Sequence, residues 1–137
     1  MVERLVANEK VEGSNPFARS IKLEKTMSDL AEKKCTPCEG GISPFDINEI
    51  HKYLKKVDGW NVLNDKNKNF FIEKEFKFNN YIASEIFVTK VGKIAETEGH
   101  HPDISFGWGY AKIKISTHSI KGLAESDFVL AAKIDRL

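Results

Sequence analysis

From Asp46 onward the chain switches between two hydrophobic periods. Ile47, Ile50, Leu54 and Val57 recur at helical spacing behind Asp46-Ile-Asn-Glu49, which resembles a capping box with Asp46 at the N-cap, and Asp58-Gly59 stops that helix. Trp60 to Leu63 reads as a short strand and the polar run Asn64 to Asn67 as a turn. Phe70, Ile72, Phe76 and Phe78 then line one face of a second strand, which Lys74 interrupts. Asn79 or Asn80 caps a long helix whose apolar stripe runs Ile82, Ala83, Ile86, Phe87, Val91, Ile94, Ala95, and Gly99 is placed to terminate it. Ile104 to Trp108 and Tyr110 to Thr117 read as a hairpin. Its second arm alternates Ala111, Ile113, Ile115, Thr117 against Tyr110, Lys112, Lys114, Ser116. Phe128, Ala131 and Ile134 mark a C-terminal helix. The order α-β-β-α-β-β-α, with short links, predicts an α+β fold: a four-stranded antiparallel sheet with helices packed on one face.

The 137 residues suffice for one domain with a single core. Residues 35–137 carry the patterned part. Residues 1–34 read as a disordered leader, because they lack either period and contain the breaker cluster Gly13-Ser14-Asn15-Pro16. Gly-Ser-Asn-Pro is also what one reading frame of a transfer-RNA T-arm sequence encodes, so Met27 is the expected native start. A net charge of +1 gives no electrostatic reason to expect nucleic acid or an anionic membrane as partner. No apolar window approaches the length of a spanning helix and the N-terminus lacks a secretory core, so a soluble, cytoplasmic protein is expected. The two cysteines form one Cys35-x-x-Cys38 pair. That is a weak zinc or redox signal without a second pair of ligands, and no metal is assigned.

Candidate chemistry lies in the histidines. Closing the last hairpin brings the residues before its first strand beside those after its second, and the midpoint of positions 101 and 118 falls at Gly109-Tyr110. A type II′ turn with glycine at its first central position would therefore bring His101 and His118 together at the hairpin's open end. His100 and His101 diverge on an extended stretch held by Pro102, which suits the two ends of a bound molecule better than one metal. Imidazoles exist in both acid and base forms near neutral pH, and the elimination of water needs that pair of roles. Asp127, in the first turn of the last helix, is favoured there by the free amides and is near enough to orient an imidazole. Glu96 lies on the last turn of the long helix. Trp108, at the hairpin tip, suits a substrate platform or a packing role equally.

Glu96, His100-His101-Pro102, Trp108, His118 and Asp127 are separated by three, five, nine and eight residues respectively. This pattern resembles the signature of the pterin-4a-carbinolamine dehydratases, and the Cys-x-x-Cys-Glu-Gly-Gly lead, Gly59-Trp60 and the stretch His100 to Tyr110 look like the bacterial form. The resemblance covers residues 35–137. It implies a four-stranded sheet assembled as a homodimer or homotetramer, and the dehydration of 4a-hydroxytetrahydrobiopterin to quinonoid dihydropterin without any cofactor, recycling the pterin of aromatic amino acid hydroxylases. It implies that His100, His101 and His118 bind the pterin and share acid and base duty with support from Asp127, while Glu96, Pro102 and Trp108 contact substrate. Ala124 departs from the family, which usually places Ser or Thr there as a helix cap, worth about 1 kcal/mol. Rival readings are a protein-binding module, since animal relatives serve as a dimerisation cofactor for a homeodomain transcription factor, and a dehydratase-like protein handling a molybdopterin-related compound.

Overall fold

The computed structural model describes residues 30–36 and 42–137. Met27, Cys38 and residues 1–29 of the expected leader lie outside them. Helix α1 spans Ile47–Leu54, strands β1 and β2 span Asn61–Asn64 and Phe70–Lys77, and helix α2 spans Tyr81–Glu98. Strands β3 and β4 span Asp103–Gly107 and Tyr110–Ile115, and helix α3 spans Glu125–Asp135. The strands form the expected four-stranded antiparallel sheet, and their spatial order is β1-β2-β4-β3.

Alternation decides which face is buried. Ile72 lies opposite Ile115, Phe76 opposite Ala111, and Ile104 opposite Ile113, so one face is an apolar layer. The helices cover it, with Phe128, Leu130, Val129 and Ile134 of α3 and Val91 of α2 buried against it. The other face carries Glu73, Lys112 and Lys114. Glu73 pairs with Lys112 at 3.4 Å, and Lys114 lies over the Phe71 ring.

Lys74 interrupts the apolar face for a physical reason. Its ammonium reaches Asp135 at the end of α3 at 2.8 Å and the Asp58 carbonyl at 2.6 Å. The Asp135 carboxylate also accepts from the Trp60 indole at 3.0 and 3.1 Å. A mostly buried carboxylate with these donors ties the last helix to β2 and to the residue ahead of β1, and each donor offsets part of its desolvation cost.

Three expectations change. The buried stripe of α2 runs through Ser84, Val91 and Ala95 with Phe87 and Ile94 half-buried, whereas Ile82 and Ile86 face outward, 60% and 51% exposed. The sheet-facing side is set by Phe87, which stacks on Phe76 and Phe78 and so turns the two isoleucines away. The hairpin is centred on Trp108-Gly109, one residue earlier than expected: Gly107 pairs with Tyr110, and Gly109 takes φ +81° at the second central position of the turn, not the first. Gly107 is needed because the Tyr110 ring lies over it, 2.7 Å from where a Cβ would stand. Residues 30 to 34, assigned to the leader, are placed: Leu30 and Ala31 are core residues, each 3% exposed.

Asp135→Ala leaves the Trp60 indole without its acceptor and the Lys74 ammonium with the Asp58 carbonyl but no counter-charge. It should lower stability by about 3 kcal/mol, read as a lower urea midpoint at unchanged m-value.

Candidate active site

The first turn of α3 has no side-chain cap, because Ala124 stands at the N-cap. Asp127, three residues in, replaces one half of that function: its Oδ2 accepts the Ala124 backbone N–H at 2.8 Å. The same oxygen accepts the Thr117 hydroxyl at 2.8 Å, from the stretch just past β4. Oδ1 lies 2.8 Å from His100 Nε2. The Asp127 side chain is fully buried, so these three partners stand where water would otherwise be.

His100 reaches Asp127 because of how α2 ends. Gly99 adopts the left-handed conformation at φ +67°, its N–H bonding the Glu96 and Ala95 carbonyls, and the His100 N–H returns to the Ala95 carbonyl at 3.1 Å. The cap turns the chain so that the half-buried imidazole points at the start of α3. A carboxylate only accepts, so Nε2 carries the proton and Nδ1 is left as an acceptor. This is a carboxylate-oriented imidazole, able to take a proton at Nδ1 and to be stabilised once charged.

The remaining candidates are arranged differently. His101 is exposed and pairs through Nε2 with Glu96 at 2.8 Å, also exposed. Pro102 is half-buried beside it. His118 opens a single 3-10 turn, His118–Ile120, inside a loop closed by the Thr117–Gly122 bridge. Trp108 stands at the hairpin tip, 71% exposed, on the order of 20 Å of extended chain from His101. Within one chain it therefore takes no part in the histidine cluster.

Two cavities flank Thr117. One, of about 310 Å³, is lined by His100, Gly99, Glu98, Thr117, Ser119, Cys35 and Thr36. The other, of about 120 Å³, is lined by His118 with Lys114, Lys121, Ser116 and Asp65 among others. The hairpin register accounts for the separation: with the turn one residue earlier, His118 lies beyond the paired strands, and the 3-10 turn carries it to the far side of Thr117.

Glu98, Thr36 and Ser119 were not singled out from sequence, and Cys35 was read only as half of a Cys-x-x-Cys pair. For Glu98 a signal existed: a carboxylate in the last turn of a helix with no basic residue beside it opposes the helix dipole and needs a partner elsewhere. It accepts the Cys35 backbone N–H at 2.9 Å and meets Lys133 at 3.6 Å. The Cys35 amide, and after it Lys133, hold its pKa below the usual carboxylate range. Burial, and next the Glu98 charge, push the Cys35 thiol up to about 12, so it stays protonated, 3.5 Å from the Ser126 carbonyl.

The chain is thus an α+β protein with an antiparallel sheet, in which Asp127 and His100 meet at the junction of two helix ends. The profile described as pterin 4 alpha carbinolamine dehydratase matches residues 43–137. The chain belongs to this family. A Rubrobacter xylanophilus protein named "Putative pterin-4-alpha-carbinolamine dehydratase" is 47% identical over 111 residues, covering 81% of this chain and 100% of its own. One of the same name from Alkaliphilus metalliredigens is 46% identical over 111 residues, covering 80% and 96%. The crystal structure titled as a transcriptional coactivator/pterin dehydratase from Brucella melitensis shares the fold at a TM-score of 0.62 and 24% identity. That match covers 69% of this chain and 97% of the other.

Asp127→Ala should destabilise the protein by about 3 kcal/mol and Thr117→Val by about 1 kcal/mol. Because both act on one carboxylate oxygen, the double variant should fall short of their sum by at least about 0.5 kcal/mol in a denaturation cycle.

Proposed function

We propose that this chain dehydrates a 4a-hydroxytetrahydropterin to the quinonoid dihydropterin, recycling the cofactor of aromatic amino acid hydroxylases. The observation that carries this reading is the His100–Asp127 couple on the wall of a cavity whose volume is within the range of small-molecule sites. In the proposed reaction His100 Nδ1 takes the proton from N5, the N5 electron pair forms the N5=C4a bond, and hydroxide leaves C4a. A second imidazole, His118 or His101, protonates the hydroxide, so that water departs. Asp127 stabilises the imidazolium that forms at His100. Glu96 supports His101 by the same logic, more weakly because both are exposed. The chemistry asks for two proton-transfer groups and no electron acceptor.

The test is a stopped-flow dehydration assay with freshly generated 4a-hydroxytetrahydropterin. Wild type should accelerate the reaction over buffer, and His100→Ala, His101→Ala and His118→Ala should each lower the rate by about 10². A chain that gives no acceleration refutes the reading. So does a His101→Ala/His118→Ala double variant with the full rate, as far as shared duty is concerned.

A homo-oligomer is proposed on a separate observation. Tyr81, Ile82 and Ile86 leave an apolar surface on the outer side of α2, and such surfaces mark contacts between proteins. Ile82→Asp/Ile86→Asp should convert the assembly to a monomer in light scattering, and an unchanged mass would place the interface elsewhere.

A further inference from the structure

We propose that Cys35 and Thr36, at the end of the segment 30–36, form a wall of the His100 cavity, and that Glu98 is the positioning residue that sets this wall against His100 and so tunes substrate binding. The proposal deepens the dehydratase reading and rests on it. The segment lies outside residues 43–137, which the family profile matches, yet Cys35 and Thr36 line the same cavity as His100 and Thr117.

The way the segment is held gives Glu98 its role. Lys133 Nζ bonds the Ala31 carbonyl at 2.7 Å, Lys33 pairs with Glu125 at 2.8 Å, and Ser126 Oγ donates to the Thr36 carbonyl at 2.9 Å. The Cys35 thiol donates to the Ser126 carbonyl. All of these tie the segment to α3. The Cys35 N–H to Glu98 bond ties it instead to α2, the helix whose cap carries His100. Without Glu98 the segment would keep its bonds to α3 and lose this direct bond to the helix whose cap carries His100, so its position against the imidazole would depend on the His100–Asp127 couple alone to relate the two helix ends. The placement also explains a carboxylate at a helix end that disfavours it, since Lys133 of α3 meets the same side chain and joins both helices to the segment.

The test uses the full chain carrying Cys38→Ser, which leaves Cys35 as the sole thiol, with Glu98→Ala and Glu98→Gln added in turn. Iodoacetamide reports the wall. Glu98→Ala should speed Cys35 alkylation by about tenfold or more as the segment loosens. In the dehydration assay it should raise KM about tenfold and leave kcat within about twofold, the mark of lost binding that substrate and transition state share. Glu98→Gln keeps a carbonyl oxygen for the Cys35 N–H and should stay within about threefold of the parent KM; it also loses the charge that raises the thiol, so loosening is read as the excess of the Glu98→Ala alkylation rate over that of Glu98→Gln. Faster alkylation at the parent KM would show that the wall is no part of the site. Unchanged alkylation in Glu98→Ala would show that Glu98 does not hold it, and a Gln variant as impaired as the Ala variant would show that the bond to Cys35 is not what matters. If Glu98→Ala does not fold, Ser126→Ala loosens the Thr36 end and must give the same KM rise. A parent without dehydratase activity overturns the functional reading, and the alkylation rates then judge the clamp by themselves.

Discussion

The buried carboxylate of Asp127 is the constraint on which the site depends. A charge removed from water is tolerable only when its oxygens are occupied, and here the occupants come from three separate places: the residue after the α2 cap, the stretch after β4 and the N-cap amide just ahead of α3. Satisfying one group therefore fixes the mutual position of two helix ends and a strand end. The absent hydroxyl at Ala124 leaves the helix N-terminus more dependent on the same carboxylate, so one group both caps α3 and holds the His100 imidazole.

A second carboxylate does comparable work at the opposite end of α3. Asp135 gathers Trp60, Lys74 and the Asp58 amide, so the helix is anchored at both ends by acids that reach into other elements. Between these anchors nearly every α3 residue is buried. A helix held in this way cannot slide or rotate appreciably, and the imidazole aimed at its first turn inherits that rigidity.

Much of this was legible in the sequence because it follows from period and punctuation. The strands declare themselves by alternation, Asn80 and Gly99 bracket α2, and Asp46 caps α1 as its position suggests. The nearness of Asp127 to a histidine was also legible, although the partner is His100 and not a residue of the hairpin end. Register was not, since moving the turn by one residue redirects everything beyond the paired strands, and Gly107 and Gly109 both offered a flexible position. The packing side of α2 was ambiguous for a similar reason. Ile82, Ile86, Phe87 and Val91 span more than one face, and only the aromatic contacts of Phe87 choose between them. Glu98 and the segment ahead of the domain were hidden because their meeting depends on tertiary proximity between positions 63 residues apart.

The Thr117–Gly122 bridge has a consequence for how this fold can diversify. Thr117 and Gly122 bond each other's backbone in both directions, and Gly122 packs directly on Pro44. The loop is thus pinned at its base, and residues 118 to 121 form a tip that takes no part in satisfying Asp127 below it through any of that carboxylate's three bonds. Ser119 faces one cavity and His118 and Lys121 the other, so exchanging tip residues would change the lining of either chamber while the His100–Asp127 couple beneath keeps its geometry.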